Sequence, residues 1–425
     1  MLRGTLPLTL LALGMLPLSA SIASAPRPIL ITVDDLPIAA DKLHPDPVER
    51  ERITRGMLRA LAKHRITAVG LVAGKHHPTA ADEKLLELWV KAGHELGNHS
   101  FSHLNYSETE SQPYIADVEK ERAWLADFLK ARGRQLRFFR FPFLNEGNTP
   151  AKLRAMRDYL KSSGQTNLPV TLDDQDWSFE EAWVAARKAG DQAAMARVAE
   201  DYQAAMRIHI GHFESVGDRL FGRPTPEILL LHAGEVGAEQ WDVLFDWLEK
   251  TSHRFATADE VLADPAYSTP HDYVAEDGVS LWERIKAERR QSEVPAALKT
   301  ALDAQVAAWN RGDLDAFVAL YAVDATFISP SGIAHGRQEV LERYRRKYPD
   351  RTAMGALSLD ITETRLIAGE EFTFFGDTVV GRVQGATVAA RWTLAYEGKP
   401  SLTGSTLLVL CPRGNDWEIV QDASM

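Results

Sequence analysis

Two histidines with three residues between them, in Gly97-Asn98-His99-Ser100-Phe101-Ser102-His103, have a spacing that puts both imidazoles on one face of a locally helical backbone. That is a metal-ligand spacing, although a pair of this kind alone is more often solvent-facing or part of a core. Its company changes the reading. An apolar run Ile29-Leu30-Ile31-Thr32-Val33 ends in Asp34-Asp35, and Arg140-Phe141-Pro142-Phe143, Asp173-Asp174-Gln175-Asp176-Trp177 and Leu230-Leu231-His232 follow in order. One carboxylate and two imidazoles leave a coordination position open, as expected of catalytic rather than structural zinc. Water held there has a lowered pKa, and a second carboxylate beside it can act as general base in attack on an ester or amide. The two aspartates point to opposite faces if the strand runs on through them, but a strand end relaxes that alternation. His232 suits a general acid, Arg140 would keep a carboxylate ionised, and Phe143, Trp177 and Leu230 suit a small acyl group.

These residues need elements that converge. From 27 to about 265, short apolar runs alternate with helical patterns, including helices expected over 47–64 and 81–92. This βαβα rhythm predicts an α/β domain with a mainly parallel sheet, open or closed into a barrel. Asp34-Asp35, Arg140 and His232 each close an apolar run, which places them at strand ends around one cleft. Residues 178–226 read as one or two inserted helices beside the barrel, with a cap over the cleft as the alternative. Periodicity fades over 266–295, a linker, and 296–425 reads as a separate α+β domain: helices over 297–310 (stopped by Gly312) and 314–321, then alternating strands that include Val379–Val383.

The bulk figures bound the rest. The chain has 425 residues, 45% hydrophobic and 25% charged, ordinary for two globular domains. Residues 1–25 carry Arg3, an apolar run Leu6–Leu18 and small residues up to Ala25, the layout of a secretory signal peptide. No second apolar run reaches the roughly 20 residues of a spanning helix, so the mature protein is expected without a membrane span, secreted or periplasmic. The formal charge of −11 argues against nucleic acid or anionic membrane as partner. The single cysteine, Cys411, rules out an internal disulfide.

The five ordered motifs resemble the polysaccharide deacetylases with a NodB homology domain, carbohydrate esterase family four, over residues 26–265. The resemblance implies a distorted (β/α) barrel, with Asp34 as catalytic base, Asp35, His99 and His103 as ligands of a divalent metal, zinc first, and Arg140 orienting Asp34. It implies His232 as general acid, its imidazole held by Asp173 or Asp176. Trp177 and Leu230 would wall the acetyl pocket, with the N–H at Phe143 supporting an oxyanion. The implied activity is hydrolysis of N-acetyl or O-acetyl groups of a carbohydrate. A hydrolase of a non-sugar amide or imide, and an inactive glycan-binding protein, are the alternatives. Where the family has Gly-Pro after the aspartates this chain has Leu36-Pro37, a side chain expected to reshape the rim.

Other residues read blandly. His76-His77 suit a surface loop before substrate contacts, His94 is structural, and His209 and His212 offer few carboxylates for a second metal. Glu235 reads as a rim charge, and Trp183, Trp241 and Trp247 as core. Residues 296–425 resemble the SnoaL-like, nuclear-transport-factor-like superfamily, which implies a conical α+β fold around an apolar pocket that binds a ligand or pairs subunits as a homodimer. Tyr321, Asp324, His335 and Asp422 are the polar candidates to face it.

Overall fold

The computed structural model describes residues 25–77, 79–368, 372–374, 377–379, 383–414 and 416–425. The expected signal peptide lies outside the described residues except for Ala25, as do residues 380–382 of the strand expected over Val379–Val383. In the first part, strands β1 (Arg27–Leu36), β2 (Val69–Val72), β3 (Glu95–Asn98), β4 (Phe138–Phe139), β5 (Thr166–Asn167), β6 (Glu227–His232) and β7 (His253–Phe255) form one sheet. Its order is β5-β4-β3-β2-β1-β6, all parallel, with β7 beside the start of β1. The chain beyond β5 returns to β6, where a parallel bridge joins Leu172 to Leu229. The curl therefore comes round on itself as a distorted barrel.

Helices α1 (Pro47–Lys63), α2 (Ala80–Lys91), α3 (Ser111–Lys130) and α4 (Pro150–Ser163) fill the crossovers. The starts of α1, α2 and α4 are written locally, the last by Thr149, which accepts from Lys152 N. Asp46 accepts from Val48 N ahead of Pro47, and Thr79 and Asp82 form a capping box. The inserted segment is α5 (Glu180–Ala189) and α6 (Gln192–Phe221), followed after β6 by α7 (Glu235–Lys250) and, after β7, by α8 (Ala258–Leu262). Trp183, Tyr202, Met206, Ile210 and Phe213 join the same core as Ile31, Val33 and Trp241, so the insert packs beside the barrel.

Leu36 does not reach the rim. It is fully buried, and a Cβ added at Gly70 on the neighbouring strand would lie 2.2 Å from its Cδ1. The larger residue after the aspartates is thus matched by a missing side chain on β2. Gly70→Ala is expected to destabilise the protein by about 1–3 kcal/mol through overpacking, read as a lower denaturant midpoint, and adding Leu36→Ala should make the pair cost less than the sum.

The stretch expected as a linker is built against the first sheet. Leu281 N donates to Val170 O (2.7 Å), Trp282 Nε1 to Glu227 Oε2 (2.8 Å) and Arg284 Nη2 to Leu144 O (2.8 Å). The helix expected over 297–310 begins inside the stretch read as a linker: α9 (Leu281–Arg311) carries Pro295 inside it and ends at Gly312 with φ 81°. The remainder comprises α10 (Leu314–Val318), β8 (Tyr321–Ser329), β9 (Gly332–His335), α11 (Gly336–Lys347), α12 (Arg351–Met354), β10 (Ala356–Ala368), the pair β11 (Phe372–Phe374) and β12 (Asp377–Val379), then β13 (Val383–Tyr396), β14 (Lys399–Arg413) and β15 (Asp416–Ser424). The six-stranded sheet runs β10-β13-β14-β15-β8-β9, antiparallel except for β15 beside β8. The helix expected over 314–321 stops at Val318 because Tyr321 already pairs with Ile419.

Candidate active site

Asp34-Asp35, His99, Arg140 and His232 all stand at the carboxyl end of the parallel sheet, the end where open α/β sheets place their clefts. His99 and His103 are not on a helix as the spacing suggested. They lie in the loop after β3, which folds through left-handed residues Ser100 (φ 63°) and His103 (φ 54°). Asn98 drives that turn: its Oδ1 accepts from Ser100 N (2.8 Å) and its Nδ2 donates to Val118 O (3.1 Å). Asp117 Oδ2 accepts from Phe101 N and Ser102 N at 3.1 and 2.9 Å. The two imidazole centroids end 4.9 Å apart.

Asp35 reaches the same point because β1 breaks register after Val33 and Asp35 takes φ 60°. One ligand atom from each of Asp35, His99 and His103 lies within 4.8 Å of the other two. Asp35 Oδ1 is buried without a hydrogen-bond partner among the described residues, 3.3 Å from His103 Nε2. His99 Nδ1 donates to Arg140 O (2.9 Å), which fixes the tautomer that leaves Nε2 for coordination. Burial pulls both imidazoles down, His103 to about 3 against the attraction of Asp35, so they stand neutral as ligands must. The donor set and the orphaned carboxylate oxygen fit a divalent cation.

Behind this group Arg140 is fully buried. Its Nη1 donates to Asp34 Oδ1 (2.7 Å) and Thr32 Oγ1 (2.8 Å), and its Nε to Leu168 O (3.0 Å). Asp34 Oδ2 lies 3.6 Å from His99 Nε2. Of the two aspartates left open for His232, Asp176 is the one bonded to it. Asp176 Oδ1 pairs with His232 Nδ1 (2.7 Å) and Oδ2 accepts from His232 N (2.9 Å); Asp173 lines the cleft and acts on Arg140 through its charge. Burial opposes charge on His232, but Asp176, and more weakly Asp35 and Asp34, push its pKa up to about 9. A raised folded pKa gives stability that is complete below the unfolded value near 6.5 and is lost as pH rises through 9. The metal-free protein should lose on the order of 2 kcal/mol, about 5 °C of Tm, between pH 6.5 and 9 from this group, and Asp176→Asn should flatten that slope.

The residues enclose a cleft of about 590 Å³. Leu230 is a buried part of its wall, while Phe143, at φ 57°, and Trp177 stand exposed on it, Phe143 with its ring 4.6 Å from that of His103. Several contributors were not foreseen. Glu180 lines the cleft and receives Glu235 N (2.6 Å), Val236 N (2.9 Å) and His44 Nε2 (2.7 Å), capping α7. Asp277 and Gly278 come from the stretch read as a linker. Asn145 Nδ2 donates to Glu276 O (2.6 Å), and a Cβ at Gly278 would lie 1.7 Å from Phe143 O, so only glycine permits that approach.

Two bland readings are corrected. His76 and His77 are buried, not on the surface: His77 stacks on Trp124 and meets Glu121 Oε1 at 3.0 Å. Glu235 is no rim charge but is fully buried, paired with Arg187 (2.7 Å) and Arg52. His94 is structural, accepting from Ala68 N at 3.1 Å, and Trp183 and Trp241 are core.

The second part holds a pocket of about 430 Å³ lined by Trp309, Phe317, Tyr344, Tyr348 and Trp392 among others. Tyr321 and Asp422 face it and are bonded to each other (2.5 Å), with Thr406 and Ser424 also donating to Asp422 at 2.8 and 2.7 Å. Asp324 and His335, expected there, are exposed and do not line it, because their side chains fall on the outer face of β8 and β9.

The family model described as polysaccharide deacetylase matches residues 22–162, and that described as SnoaL-like domain matches residues 302–411. The first match takes in Asp34, Asp35, His99, His103 and Arg140 and ends before Asp176 and His232. Among solved structures, the chain is similar to an NTF-2 like protein of unknown function from Shewanella oneidensis MR-1 (29% identity, 31% of this chain and 97% of that one, TM-score 0.26). It is also similar to a family 4 carbohydrate esterase from Streptomyces lividans in complex with acetate (17% identity, 54% and 92%, TM-score 0.35). A third is a family 4 pseudoenzyme from Bacillus anthracis (17% identity, 56% and 66%, TM-score 0.39). No curated protein matches the chain.

Proposed function

We propose that this chain, with a polysaccharide deacetylase domain followed by a SnoaL-like domain, is an exported metal-dependent hydrolase that removes acetyl from an N-acetylated, less readily an O-acetylated, sugar. The observation that carries this reading is the convergence of Asp34, bound by Arg140, and His232, bound by Asp176, on the group Asp35, His99 and His103. A bound divalent ion, zinc first, would polarise the acyl oxygen and acidify water.

The chain's own groups would do the rest. Asp34 Oδ1 is occupied by Arg140, which leaves Oδ2, on the His99 side, to accept the proton of the attacking water. With Nδ1 of His232 tied to Asp176, Nε2 is the atom left to deliver a proton to the departing nitrogen or oxygen. The N–H at Phe143 is assigned to the developing oxyanion, and Leu230 and Trp177 to the acetyl methyl.

Charge narrows the substrate. Asp34, Asp35, Asp173, Asp176, Glu180 and Asp277 line the cleft, and among the described residues neither lysine nor arginine lines it. Such a cleft disfavours anions and accepts neutral or cationic amino sugars. The experiment is acetate release from chito-oligosaccharides, muramic-acid-containing fragments, acetylated xylan and small amides. Turnover highest on chito-oligosaccharides supports the reading. Turnover of small amides with none on any glycan would replace it with a non-sugar amidase, and glycan binding without release would make the chain a binding protein.

A further inference from the structure

We infer that His76 is a positioning residue that fixes the Asp35 carboxylate, an addition to the site that rests on the metal reading above. His76 is 5% exposed, and neither ring nitrogen has a hydrogen-bond partner among the described residues. Leaving a buried polar group unmatched costs about 1–3 kcal/mol, so a buried imidazole with both nitrogens unmatched asks for a use. Its Nε2 lies 3.6 Å from Asp35 Oδ1, the carboxylate oxygen that is also buried and unmatched, and its Nδ1 lies 3.9 Å from Asp41 Oδ2 on the loop after β1.

The backbone makes this placement rigid. His76 ends the short turn Gly74–His76 after β2. Gly74 N donates to Ser100 O (3.1 Å) and Lys75 N to Phe101 O (2.7 Å), so the turn is tied to the loop that carries His99 and His103. A Cβ at Gly74 would sit 2.3 Å from the Phe101 ring, which keeps the two loops in contact. His76 is therefore held 3.6 Å from Asp35 Oδ1, where a shift of well under 1 Å closes an Nε2–H···Oδ1 bond. It does not join the three mutually close ligand atoms, so it acts on the carboxylate and not as a ligand. Groups that hold metal ligands in this way typically change metal affinity by 10–100-fold.

The test uses the full-length protein and measures zinc affinity by competition with a chromophoric chelator, the number of imidazole ligands by X-ray absorption, and the Tm of the metal-free protein. His76→Phe keeps a buried ring without a donor, and His76→Gln keeps a donor near Nε2. We expect two imidazole ligands in wild type and both variants, zinc affinity at least 10-fold weaker in His76→Phe and largely restored in His76→Gln, and metal-free Tm unchanged or higher in His76→Phe. Unchanged affinity in His76→Phe would overturn the inference, as would a third imidazole in the wild type. A wild type that binds no zinc would instead overturn the metal reading on which it rests.

Discussion

Asp34→Asn is expected to lower acetate release by 10²–10⁴-fold, the range a general base supplies, with zinc stoichiometry unchanged because the ligand atoms assigned to Asp35, His99 and His103 are untouched. Asn keeps the shape and can still accept from Arg140 Nη1, but it cannot take a proton from water. The same change leaves the fully buried Arg140 without its 2.7 Å carboxylate, and losing one partner of a buried pair costs about 3–5 kcal/mol. Activity and folding must therefore be read separately: kcat at a temperature where circular dichroism shows the variant folded, and Tm beside it. Loss of zinc together with activity would reassign Asp34 as a ligand.

Arg140→Met is expected to have the second largest effect, by a different route. It removes the donor that holds Asp34 Oδ1 at 2.7 Å, so the carboxylate is no longer fixed with Oδ2 on the His99 side and the base loses its position. The loss in kcat should be about 10–100-fold, the scale of a misplaced reacting group, smaller than that of Asp34→Asn and read at a temperature where circular dichroism shows the variant folded. Because either single change strands a buried charge and the double change strands none, Asp34→Asn with Arg140→Met should cost less stability than the two singles added.

How far the sequence carried can be seen residue by residue. The strand-end residues were legible because parallel strands place their last polar residues at one edge, and Asp34-Asp35, Arg140 and His232 obey that rule. The choice between Asp173 and Asp176 was not, since it depends on Gln175 adopting φ 55° and turning Asp176 under His232. The His99-x-x-x-His103 spacing pointed to two neighbouring imidazoles for the wrong reason, because a loop with two left-handed residues, not a helix, brings i and i+4 together. His76 was hidden: one residue before another histidine and two before a proline it reads as loop, and only the backbone bonds from Gly74 and Lys75 to the 100–101 loop bury it. Leu36 was misread for want of its neighbour, since Gly70 on β2 makes its room. Glu235 reads as surface because nothing local shows that Arg52 and Arg187, from α1 and α5, close over it. In the second part the pocket was implied by the SnoaL-like resemblance; of its four polar candidates Tyr321 and Asp422 line it, while Asp324 and His335 fall on the opposite face of their strands, a register that the sequence leaves open.

The most direct test of the account is acetate release from chito-oligosaccharide by the purified protein as isolated, after stripping with chelator, and after restoring zinc. Release that disappears on stripping and returns with zinc is the predicted result. Release that persists in the stripped protein, or none from a protein shown to hold zinc, would contradict it.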